Sequence, residues 1–271
     1  QAGLAVDGNG DGAVHAVSPL LLPHLEGRPL SLRRYPDGIA AEGFFQKNAA
    51  ELVDWLHIET ILAEDGNQRQ MVIGGRHADL IYLAHLGCID QNPWMSRVGE
   101  TLDNPDYILI DLDPHDCSYD KIVEAALLVR RRLDQIGLVG FPKTTGGDGM
   151  HIYIPLAPVY LYEHARAFAE ILARLVVRDR PELFTTPRSV ARRQKNRVYF
   201  DWMQIARGRT ISAPYVPRAY PGASVATPLE WSEVRAGLNP KQFHIRNVLP
   251  RFDALGDLFG GVLTSGQHLE E

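Results

Sequence analysis

Apolar and polar positions follow two different periodicities along the second half of the chain. Short runs rich in β-branched residues predict buried strands, and stretches with an apolar residue every three or four positions predict amphipathic helices. The elements predicted in this way are a strand over 107–113, a helix over 118–137, a strand over 150–155, a helix over 162–177 and a strand over 197–203. Because Pro114 cannot donate to a central ladder, we expect it to end the first strand. This order of elements predicts an α+β or α/β fold built on one sheet.

In the first 105 residues the apolar positions are less regularly spaced, and the predicted elements are shorter. The predicted elements are strands over 29–35, 57–62 and 71–73, a turn-rich connection over 63–70, a helix over 77–85 and a linker-like stretch over 90–106. A chain of 271 residues is long enough for two units that share a core. We therefore expect one domain, 1–271, made of an N-terminal α/β unit, 1–105, and a second unit, 106–271.

Composition is ordinary for a globular protein, with 45% hydrophobic and 23% charged residues. The net charge of −5 argues mildly against a nucleic-acid partner, but the segment 188–209 carries seven basic residues and the single acid Asp201. Such a run is also typical of a solvated basic face. No apolar run is long enough for a membrane span, no secretion signal opens the chain, and two cysteines, Cys88 and Cys117, are too few for a disulfide scaffold. These features predict a cytoplasmic protein without a membrane partner.

Three aspartates on predicted strands form the first candidate for chemistry. Side chains alternate along a strand, so Asp111 and Asp113 share one face, and Asp201 lies on the polar face of the last strand. If the two strands are neighbours, the three carboxylates converge on a patch that suits hard divalent cations. Two such ions are the usual means of nucleotidyl transfer and of phosphodiester cleavage. In the structural alternative, the first two aspartates cap the following turn, and Asp201 pairs with Arg197 or Arg209.

A glycine-rich turn between two predicted strands is the second candidate. It contains Lys143, Thr145, Gly146 and Gly147 and leads into His151. The backbone N–H groups of such a turn, together with hydroxyls and a lysine, can cradle phosphate oxygens. The Gly-Lys-Ser/Thr ending of a P-loop is absent and no helix follows, which disfavours an ATPase or a dinucleotide-binding fold. His151 is either a structural strand residue or a triphosphate contact.

Adjacent aromatic and basic residues in the first unit are the third candidate. Phe44 and Phe45 precede Lys47, and the basic pair Arg33 and Arg34 lies upstream. Two neighbouring phenylalanines on a strand cannot both face the core, so one is available to stack on a nucleic-acid base or to pack under a loop. The basic pair either contacts a DNA backbone or solvates an edge strand.

Seven segments follow one another in a fixed order along the chain: LLPHLEGRPLSLRRYPDGI, GFFQKNA, YILIDLDP, FPKTTGGDGMHIYIPL, RVYFDWMQ, RGRTISAPYVPRAYPGA and TPLEW. Together they closely resemble the polymerase domain of bacterial ligase D, a family of the archaeo-eukaryotic primase superfamily that acts in non-homologous end joining. The resemblance covers the chain from about Leu20 to the C-terminus. It implies an α+β, primase-type fold in which an RRM-like catalytic sheet, within 106–271, is joined to the N-terminal α/β unit.

The resemblance also implies a role for each candidate residue. Asp111, Asp113 and Asp201 match the catalytic aspartates of the family, which bind two Mn²⁺ or Mg²⁺ ions. The residues implied in nucleotide binding are Lys143, Thr145, Gly146, Gly147, His151, Gln204 and Arg218, and those implied in DNA binding are Arg33, Arg34, Phe44, Phe45 and Lys47. The implied activity is that of a DNA-directed nucleotidyltransferase, a primase-like polymerase, which extends primer 3′-hydroxyl ends with (ribo)nucleotides during break repair.

The implied partners are DNA with gaps or broken ends, nucleoside triphosphates, Ku, and a ligase domain in cis or in trans, in the bacterial cytoplasm at the nucleoid. Two alternatives use the same residues differently. A metal-dependent phosphodiesterase or nuclease would direct the carboxylates at water, and a non-catalytic module would only bind DNA ends. The sequence departs from the family pattern at Asn92, Gln194 and Asn196, where the family often has His, Arg and Gly. These departures concern end binding more than catalysis.

Overall fold

Helices and strands of this computed structural model are described for residues 10–49, 51–63 and 66–269. The helices are α1 (Gly10–Leu25), α2 (His77–His85), α3 (Tyr119–Gln135), α4 (Tyr162–Asp179), α5 (Val248–Leu255) and α6 (Gly260–Thr264). The strands are β1 (Leu30–Arg34), β2 (Phe44–Gln46), β3 (Ile58–Leu62), β4 (Gln68–Val72), β5 (Cys88–Pro93), β6 (Tyr107–His115), β7 (Phe141–Thr144), β8 (Met150–Pro155), β9 (Phe184–Thr185) and β10 (Arg197–Asp201). Among the described helices, none combines the length and the hydropathy needed to span a bilayer.

The main sheet lies in the second half of the chain and has the strand order β7-β8-β6-β10-β9. Its neighbours are antiparallel except for the short parallel pair β9 and β10. The chain order β6-α3-β7-β8-α4-β10, with β6 and β8 at the centre, is the strand–helix–strand–strand–helix–strand arrangement of an RRM-like sheet. The expected α+β fold with an RRM-like sheet is therefore confirmed.

Helices α3 and α4 pack against one face of the main sheet. Ile108, Ile110 and Leu112 of β6 are completely buried. Because side chains alternate along β6, Asp111 and Asp113 project from the other face. The two helices thus shield the apolar face and leave the acidic face of the sheet available for chemistry.

Strand β6 runs through Pro114 to His115, so the expectation that Pro114 ends this strand is wrong. The pairing of β6 with β8 ends at Leu112, and beyond it β6 has β10 as its neighbour. Pro114 is opposite Val198, whose amide donates to the Leu183 carbonyl on the far side of β10 at 2.8 Å. Pro114 and Val198 are therefore a non-hydrogen-bonded pair, and the missing proline N–H leaves no ladder bond unmade.

Several elements do not follow from the sequence pattern. The expected linker over 90–106 begins inside β5, and β7 directly precedes the glycine-rich turn. Helix α1 contains Pro19 and Pro23, which argue against a helix when only the sequence is considered. Strand β10 ends at Asp201 rather than at residue 203, because the Asp201 carboxylate accepts the Met203 amide at 2.9 Å and turns the chain.

The first unit contains a three-stranded sheet, β2-β1-β5, and the hairpin β3-β4. The segment 211–213 of the second unit runs beside β5, where the Ile211 and Ala213 amides donate to the Pro93 and Gln91 carbonyls at 3.4 and 3.1 Å. One hydrophobic cluster includes apolar side chains from both units. The three-stranded sheet is thereby fixed against the second unit.

A buried arginine cluster lies just before β6, where the two units meet. Arg28 is 1% exposed and donates to both carboxylate oxygens of Asp106, at 2.7 and 2.8 Å. It also donates to the carbonyls of His24 and Trp94, at 3.1 and 3.3 Å. Arg97 contributes a second cation to Asp106 at 2.9 Å. These bonds connect α1, the end of β5 and the start of β6.

We predict that Arg28→Met lowers the free energy of unfolding by about 3 kcal/mol, because removing one partner of a buried pair leaves the other charge poorly compensated. Urea denaturation followed by tryptophan fluorescence measures this change. Arg174→Met is the matched control, because Arg174 pairs with Glu170 on the exposed surface of α4. This exposed pair contributes less than about 0.5 kcal/mol. Equal losses in the two variants would contradict the prediction.

Candidate active site

Four polar residues form one row across the main sheet. Asp201 on β10 is directly opposite Asp111 on β6, Asp111 is opposite His151 on β8, and His151 is opposite Lys143 on β7. Directly opposite residues of antiparallel strands project from the same face and have Cα atoms about 5 Å apart. The pairing thus brings together two of the predicted carboxylates with two residues of the predicted phosphate site.

Asp113 lies two residues further along β6, on the same face as this row and opposite Tyr199. Gly149, at the start of β8, packs closely against it. A Cβ atom at Gly149 would lie 2.8 Å from Asp113 Oδ1 and equally close to the Leu112 carbonyl oxygen. Glycine is therefore required at 149 for β8 to approach the Asp113 carboxylate, a role that the sequence analysis did not assign.

The carboxylates of Asp111 and Asp113 are poorly hydrated, and neighbouring carboxylates repel them. Burial, and then the charge of Asp201, raises the pKa of Asp111 to about 7. Burial, and then the charges of Asp111 and Asp201, raises the pKa of Asp113 to about 7. Two carboxyl groups with pKa values this far above the ordinary range mark a position where positive charge is needed.

His151 lies beside Asp111 but does not neutralise it. The Nε2 atom of His151 is 3.3 Å from Asp111 Oδ1. Within the described residues, the two atoms form no hydrogen bond, and Asp111 Oδ1 has no other hydrogen-bond partner; His151 Nδ1 also lacks one. Burial lowers the pKa of His151 well below its ordinary value, which makes the imidazole neutral. Asp111 Oδ1 is thus a buried acceptor without a donor.

The structural alternative for the aspartates finds little support. Arg197 donates to the carbonyls of Pro181 and Phe184, at 2.7 and 3.2 Å, rather than to Asp201. Within the described residues, no ion pair joins Asp201 to an arginine, although its carboxylate does accept the Met203 amide. The three aspartate side chains do not converge as a complete set of metal ligands, since the described residues contain no group of three acidic, histidine or cysteine side chains at metal-ligand spacing. The donor type and the unpartnered Asp111 oxygen nevertheless suit a hard cation.

Arg193, which is not among the site residues predicted from the sequence, places a positive charge near Asp113. The Arg193 guanidinium is 3.3 Å from the centre of the Tyr199 ring, on the strand position opposite Asp113. Its charge lowers the pKa of Asp113, in opposition to burial. The backbone carbonyls of Pro187 and Arg188 accept from Arg193 and hold it there. The density of arginines over 188–197 suggested a basic surface, but the sequence does not show which of them reaches the site.

Lys143 is completely buried at the far end of the row. Its Nζ atom lies 6.0 Å from the centre of the Tyr153 ring and 3.4 Å from the Thr144 carbonyl oxygen. Burial lowers the pKa of Lys143 well below its ordinary value, while Asp111 and Asp90 favour the charged form. The structure thus places Lys143 at the buried end of the row, next to His151, rather than in an exposed position in the turn.

The glycine-rich turn is closed by the Thr145 hydroxyl, which accepts the amides of Gly147 and Gly149 at 3.1 and 3.2 Å. These two N–H groups are consequently not free to bind an anion. The amides of Gly146 and Asp148 have no acceptor within the described residues. They remain as the donors that the turn can present to an anion.

Arg218 lies across this turn. Gly146 has φ +74°, and a Cβ atom there would be 2.5 Å from Arg218 Cγ, so only glycine allows the arginine to approach. Arg218 Nη1 donates to the Thr145 carbonyl at 2.6 Å and to Ser212 Oγ at 2.8 Å, and Nε donates to Asp90 Oδ2 at 2.9 Å. The structure therefore brings Arg218, which the family resemblance implies in nucleotide binding, to the glycine-rich turn.

Asp90 is a member of this site that the sequence analysis missed, because its segment was assigned to a linker. It lies in β5 and is 1% exposed. The short run around it has few β-branched residues, so the strand becomes evident only through its pairing with β1. Gln204 donates to the Thr210 carbonyl at 3.2 Å. Within the described residues, no hydrogen bond joins Gln204 to the carboxylate row or to the turn.

The predicted DNA-binding residues form cross-strand pairs on β1 and β2. Arg33 is opposite Phe45 and Arg34 is opposite Phe44. Each guanidinium lies over the ring of its partner, 5.5 and 5.3 Å from the ring centres. Both phenylalanines are exposed, by 47% for Phe44 and 59% for Phe45. Because neighbouring residues face opposite ways, the two pairs lie on opposite faces of the sheet, and Lys47 is exposed just beyond them.

The pair Arg33 and Phe45 faces the candidate active site. Arg33 is also opposite Asp90 in the ladder between β1 and β5, so Phe45, Arg33 and Asp90 form a second polar row. Asp90 in turn contacts Arg218 at the glycine-rich turn. An exposed aromatic ring, an arginine and Asp90 thus lie on one face of the sheet of the first unit, and Asp90 links that face to the glycine-rich turn of the second unit.

Comparison with known proteins gives a consistent assignment. The family model described as "LigD, primase-polymerase domain" matches residues 14–259. The chain is 34% identical over 246 residues to the bifunctional non-homologous end joining protein LigD of Bacillus subtilis, covering 89% of this chain and 38% of that protein. It is 33% identical over 238 residues to the multifunctional non-homologous end joining protein LigD of Pseudomonas aeruginosa, covering 87% of this chain and 28% of that protein. The chain thus spans less than two fifths of the length of these curated relatives.

A solved structure has the same fold over almost the whole chain. The polymerase domain from Mycobacterium tuberculosis ligase D, in complex with DNA, superposes with a TM-score of 0.87 at 28% sequence identity. The match covers 95% of this chain and 92% of that one. It confirms the primase-type α+β fold. The matched family model includes both units and every residue of the carboxylate row. The chain therefore belongs to the LigD primase-polymerase domain family.

Proposed function

We propose that this chain is a DNA-directed nucleotidyltransferase that extends primer 3′-hydroxyl ends with (ribo)nucleotides in break repair by non-homologous end joining. The observation that carries the proposal is the arrangement of Asp111, Asp113 and Asp201 on one face of the sheet, where burial and mutual repulsion oppose the ionisation of the first two, beside a turn that offers anion donors. Such a juxtaposition of carboxylates and anion donors suits a metal-dependent reaction at a phosphate. Membership of the LigD polymerase family supports the same reaction.

The three aspartates are proposed to hold two divalent ions, Mn²⁺ or Mg²⁺. Carboxylate oxygen is the donor that these ions prefer, and Asp111 Oδ1 has no other partner within the described residues. When bound, the ions would lower the pKa of the primer 3′-hydroxyl and neutralise charge on the triphosphate. The protein's own part is to keep the three carboxylates on one face of a rigid sheet, with neutral His151 beside them.

The triphosphate is proposed to lie over the glycine-rich turn. Arg218 and the free amides of Gly146 and Asp148 would donate to phosphate oxygens, and Thr145 would hold the turn in shape. Lys143 would flank His151 at the buried end of the row, and Gly147 leaves space for the Tyr220 ring, which a Cβ atom at position 147 would approach to 3.2 Å. Charge develops on the phosphates during transfer, so donors fixed in advance stabilise the transition state. Gln204 is proposed to contact the nucleotide only after its bond to Thr210 breaks.

The primer–template end is proposed to bind on the surface that begins at Phe45 and Arg33. Exposed aromatic rings stack on bases with little sequence preference, and arginines neutralise the DNA backbone. Phe44, Arg34 and Lys47 would contact DNA at the edge of the same sheet. The two units, 1–105 and 106–271, are proposed to work as one domain, because the surface from Phe45 to Asp111 needs residues from both.

The biological setting is proposed from the relatives, which are bacterial end-joining proteins. We propose that the chain acts on gaps and broken ends at the nucleoid in the bacterial cytoplasm, with Ku and a ligase domain as partners in cis or in trans. The comparisons favour a polymerase rather than a nuclease or a non-catalytic end-binding module. The turn with Arg218 also favours transfer from a triphosphate, because hydrolysis of DNA needs no such site.

Primer extension on a gapped duplex tests the proposed function. We expect incorporation that requires a divalent ion, and we expect Asp111→Ala to lower the rate on the order of 10³-fold or more, as for a residue on which the reaction depends. Mn²⁺ and Mg²⁺, and ribo- and deoxynucleotides, are compared in parallel. Asp116→Asn is the matched control, because Asp116 follows the same strand but is exposed and pairs with Lys195 at 3.7 Å. An unchanged rate in Asp111→Ala would refute the assignment.

Metal-free stability gives an independent check of the carboxylate cluster. A carboxyl group whose pKa is higher in the folded state destabilises the fold as pH rises from about 4 to about 7, and the full penalty applies above pH 7. At pH 8 in EDTA, we therefore expect Asp111→Asn to raise the free energy of unfolding by about 1–2 kcal/mol. Mn²⁺ should raise the free energy of unfolding of the wild type but not that of Asp111→Asn. Lower stability of Asp111→Asn in EDTA would contradict the prediction, and Asp116→Asn should change neither value.

The two phenylalanines should differ in their contribution to DNA binding. Phe45 lies on the face that leads to Asp90 and the carboxylate row, whereas Phe44 lies on the opposite face. We expect Phe45→Ala to weaken binding of a gapped duplex by about 5- to 100-fold, the range for loss of one stacked base. Phe44→Ala is the matched control and should have a smaller effect. Fluorescence anisotropy at fixed salt measures both, and a larger loss in Phe44→Ala would reverse the proposed orientation of the DNA.

A further inference from the structure

We infer that Asp90, a buried residue of β5 in the first unit, positions Arg218 for contact with the triphosphate of the incoming nucleotide. The inference rests on the proposed function, since it concerns the nucleotide site of the same reaction. Asp90 is 1% exposed, so it does not touch substrate itself. It acts through the arginine.

Arg218 is anchored on two of its three nitrogen atoms. Asp90 Oδ2 accepts from Nε at 2.9 Å, and the Thr145 carbonyl and Ser212 Oγ accept from Nη1 at 2.6 and 2.8 Å. The remaining nitrogen, Nη2, has no hydrogen-bond partner within the described residues, and the side chain is 14% exposed. Anchors on both Nε and Nη1, which lie on different sides of the planar guanidinium, fix its orientation and leave Nη2 as the donor without a partner.

The anchors also determine the position of the aliphatic part of Arg218. Gly146 leaves no space between the turn and Arg218 Cγ, because a Cβ atom there would lie 2.5 Å away. The Ser212 hydroxyl is itself buried. Arg218 therefore sits between the turn, Ser212 and β5. Among its anchors, Asp90 supplies the negative charge.

A charge is needed at this position because Arg218 is largely removed from water. A buried guanidinium without an anion is unstable, and before nucleotide binds Asp90 is the carboxylate in direct contact with it. When a triphosphate arrives, Arg218 can meet it without reorganising, since its Nε bond is already made. Preorganised donors of this kind stabilise an anion more than donors that must first be ordered.

Asp90 also explains how the first unit takes part in nucleotide binding. It belongs to the row Phe45, Arg33 and Asp90, which crosses the sheet β2-β1-β5. Through its bond to Arg218, this sheet reaches the glycine-rich turn of the second unit. The nucleotide-binding arginine is consequently held from the sheet that carries the proposed DNA surface.

Steady-state primer extension on a gapped duplex, with the full chain, Mn²⁺ and ATP, tests the inference. Asp90→Asn should raise KM for ATP by about 10- to 100-fold, the effect of losing one charge-assisted bond that orients the arginine. The value of kcat should change much less. Asp90→Glu keeps the charge and should lie between the wild type and Asp90→Asn. Asp79→Asn is the matched control, because Asp79 is equally buried and pairs with Arg76 away from the turn.

A double-mutant cycle with Arg218→Gln separates positioning from a general structural effect. If Asp90 acts through Arg218, Asp90→Asn should raise KM little further once Arg218 is replaced. Multiplicative effects of the two substitutions, or an unchanged KM in Asp90→Asn, would overturn the inference. Thermal melting, with Asp79→Asn as the reference, shows whether Asp90→Asn folds. If it does not fold, the cycle is run with Asp90→Glu, and multiplicative effects with Arg218→Gln or an unchanged KM would again overturn the inference.

Direct ATP binding keeps this inference distinct from the proposed function. Calorimetric titration of the wild type and Asp90→Asn with ATP and Mn²⁺, without DNA, measures affinity whether or not the chain extends primers. If the wild type binds ATP more tightly than Asp90→Asn but does not extend primers, the positioning role is supported while the proposed polymerase activity is refuted. Equal affinity of the two proteins, or no binding by the wild type, would refute the positioning role.

Discussion

At the centre of the main sheet, the carboxylate of Asp111 is held in a dry position beside that of Asp201. Burial and repulsion by Asp201 both oppose the ionisation of Asp111, and the neutral imidazole of His151 supplies no positive charge to offset them. A fold keeps such an arrangement only when the surrounding backbone is rigid and when the charge is satisfied in the working state. The helices packed behind β6 supply the rigidity. The glycine at position 149 is required because side-chain atoms there would collide with Asp113.

The same sheet explains why the site needs two units. The RRM-like sheet supplies the carboxylates and the turn, but the arginine over that turn is anchored from β5 in the first unit. Hydrogen bonds from residues 211–213 fix β5 in place, and the buried Arg28 cluster joins α1, β5 and β6. Loss of either connection would separate the proposed DNA surface from the carboxylates. The relative position of the units is thus part of the active site.

Periodicity in the sequence predicted what depends on local alternation. Asp111 and Asp113 share a face because they are two residues apart, and α3 and α4 follow the apolar spacing closely. Periodicity could not predict what depends on strand neighbours. Asp90 was missed because β5 is defined by its pairing with β1, and Lys143 was placed in the turn although β7 buries it. Residue types in a fixed order identified the family, whereas contacts between distant segments such as Asp90 and Arg218 required the structure.

Pro114 has a consequence for how this sheet meets other molecules. At its end β6 extends past β8, and an exposed strand edge with free N–H groups readily recruits a further strand. Pro114 removes the donor at that edge, since the ring nitrogen points away from β10. Another chain therefore cannot continue the ladder beside Asp113. The proline thus protects the end of β6, beside the carboxylate of Asp113, from pairing with the edge strand of another molecule.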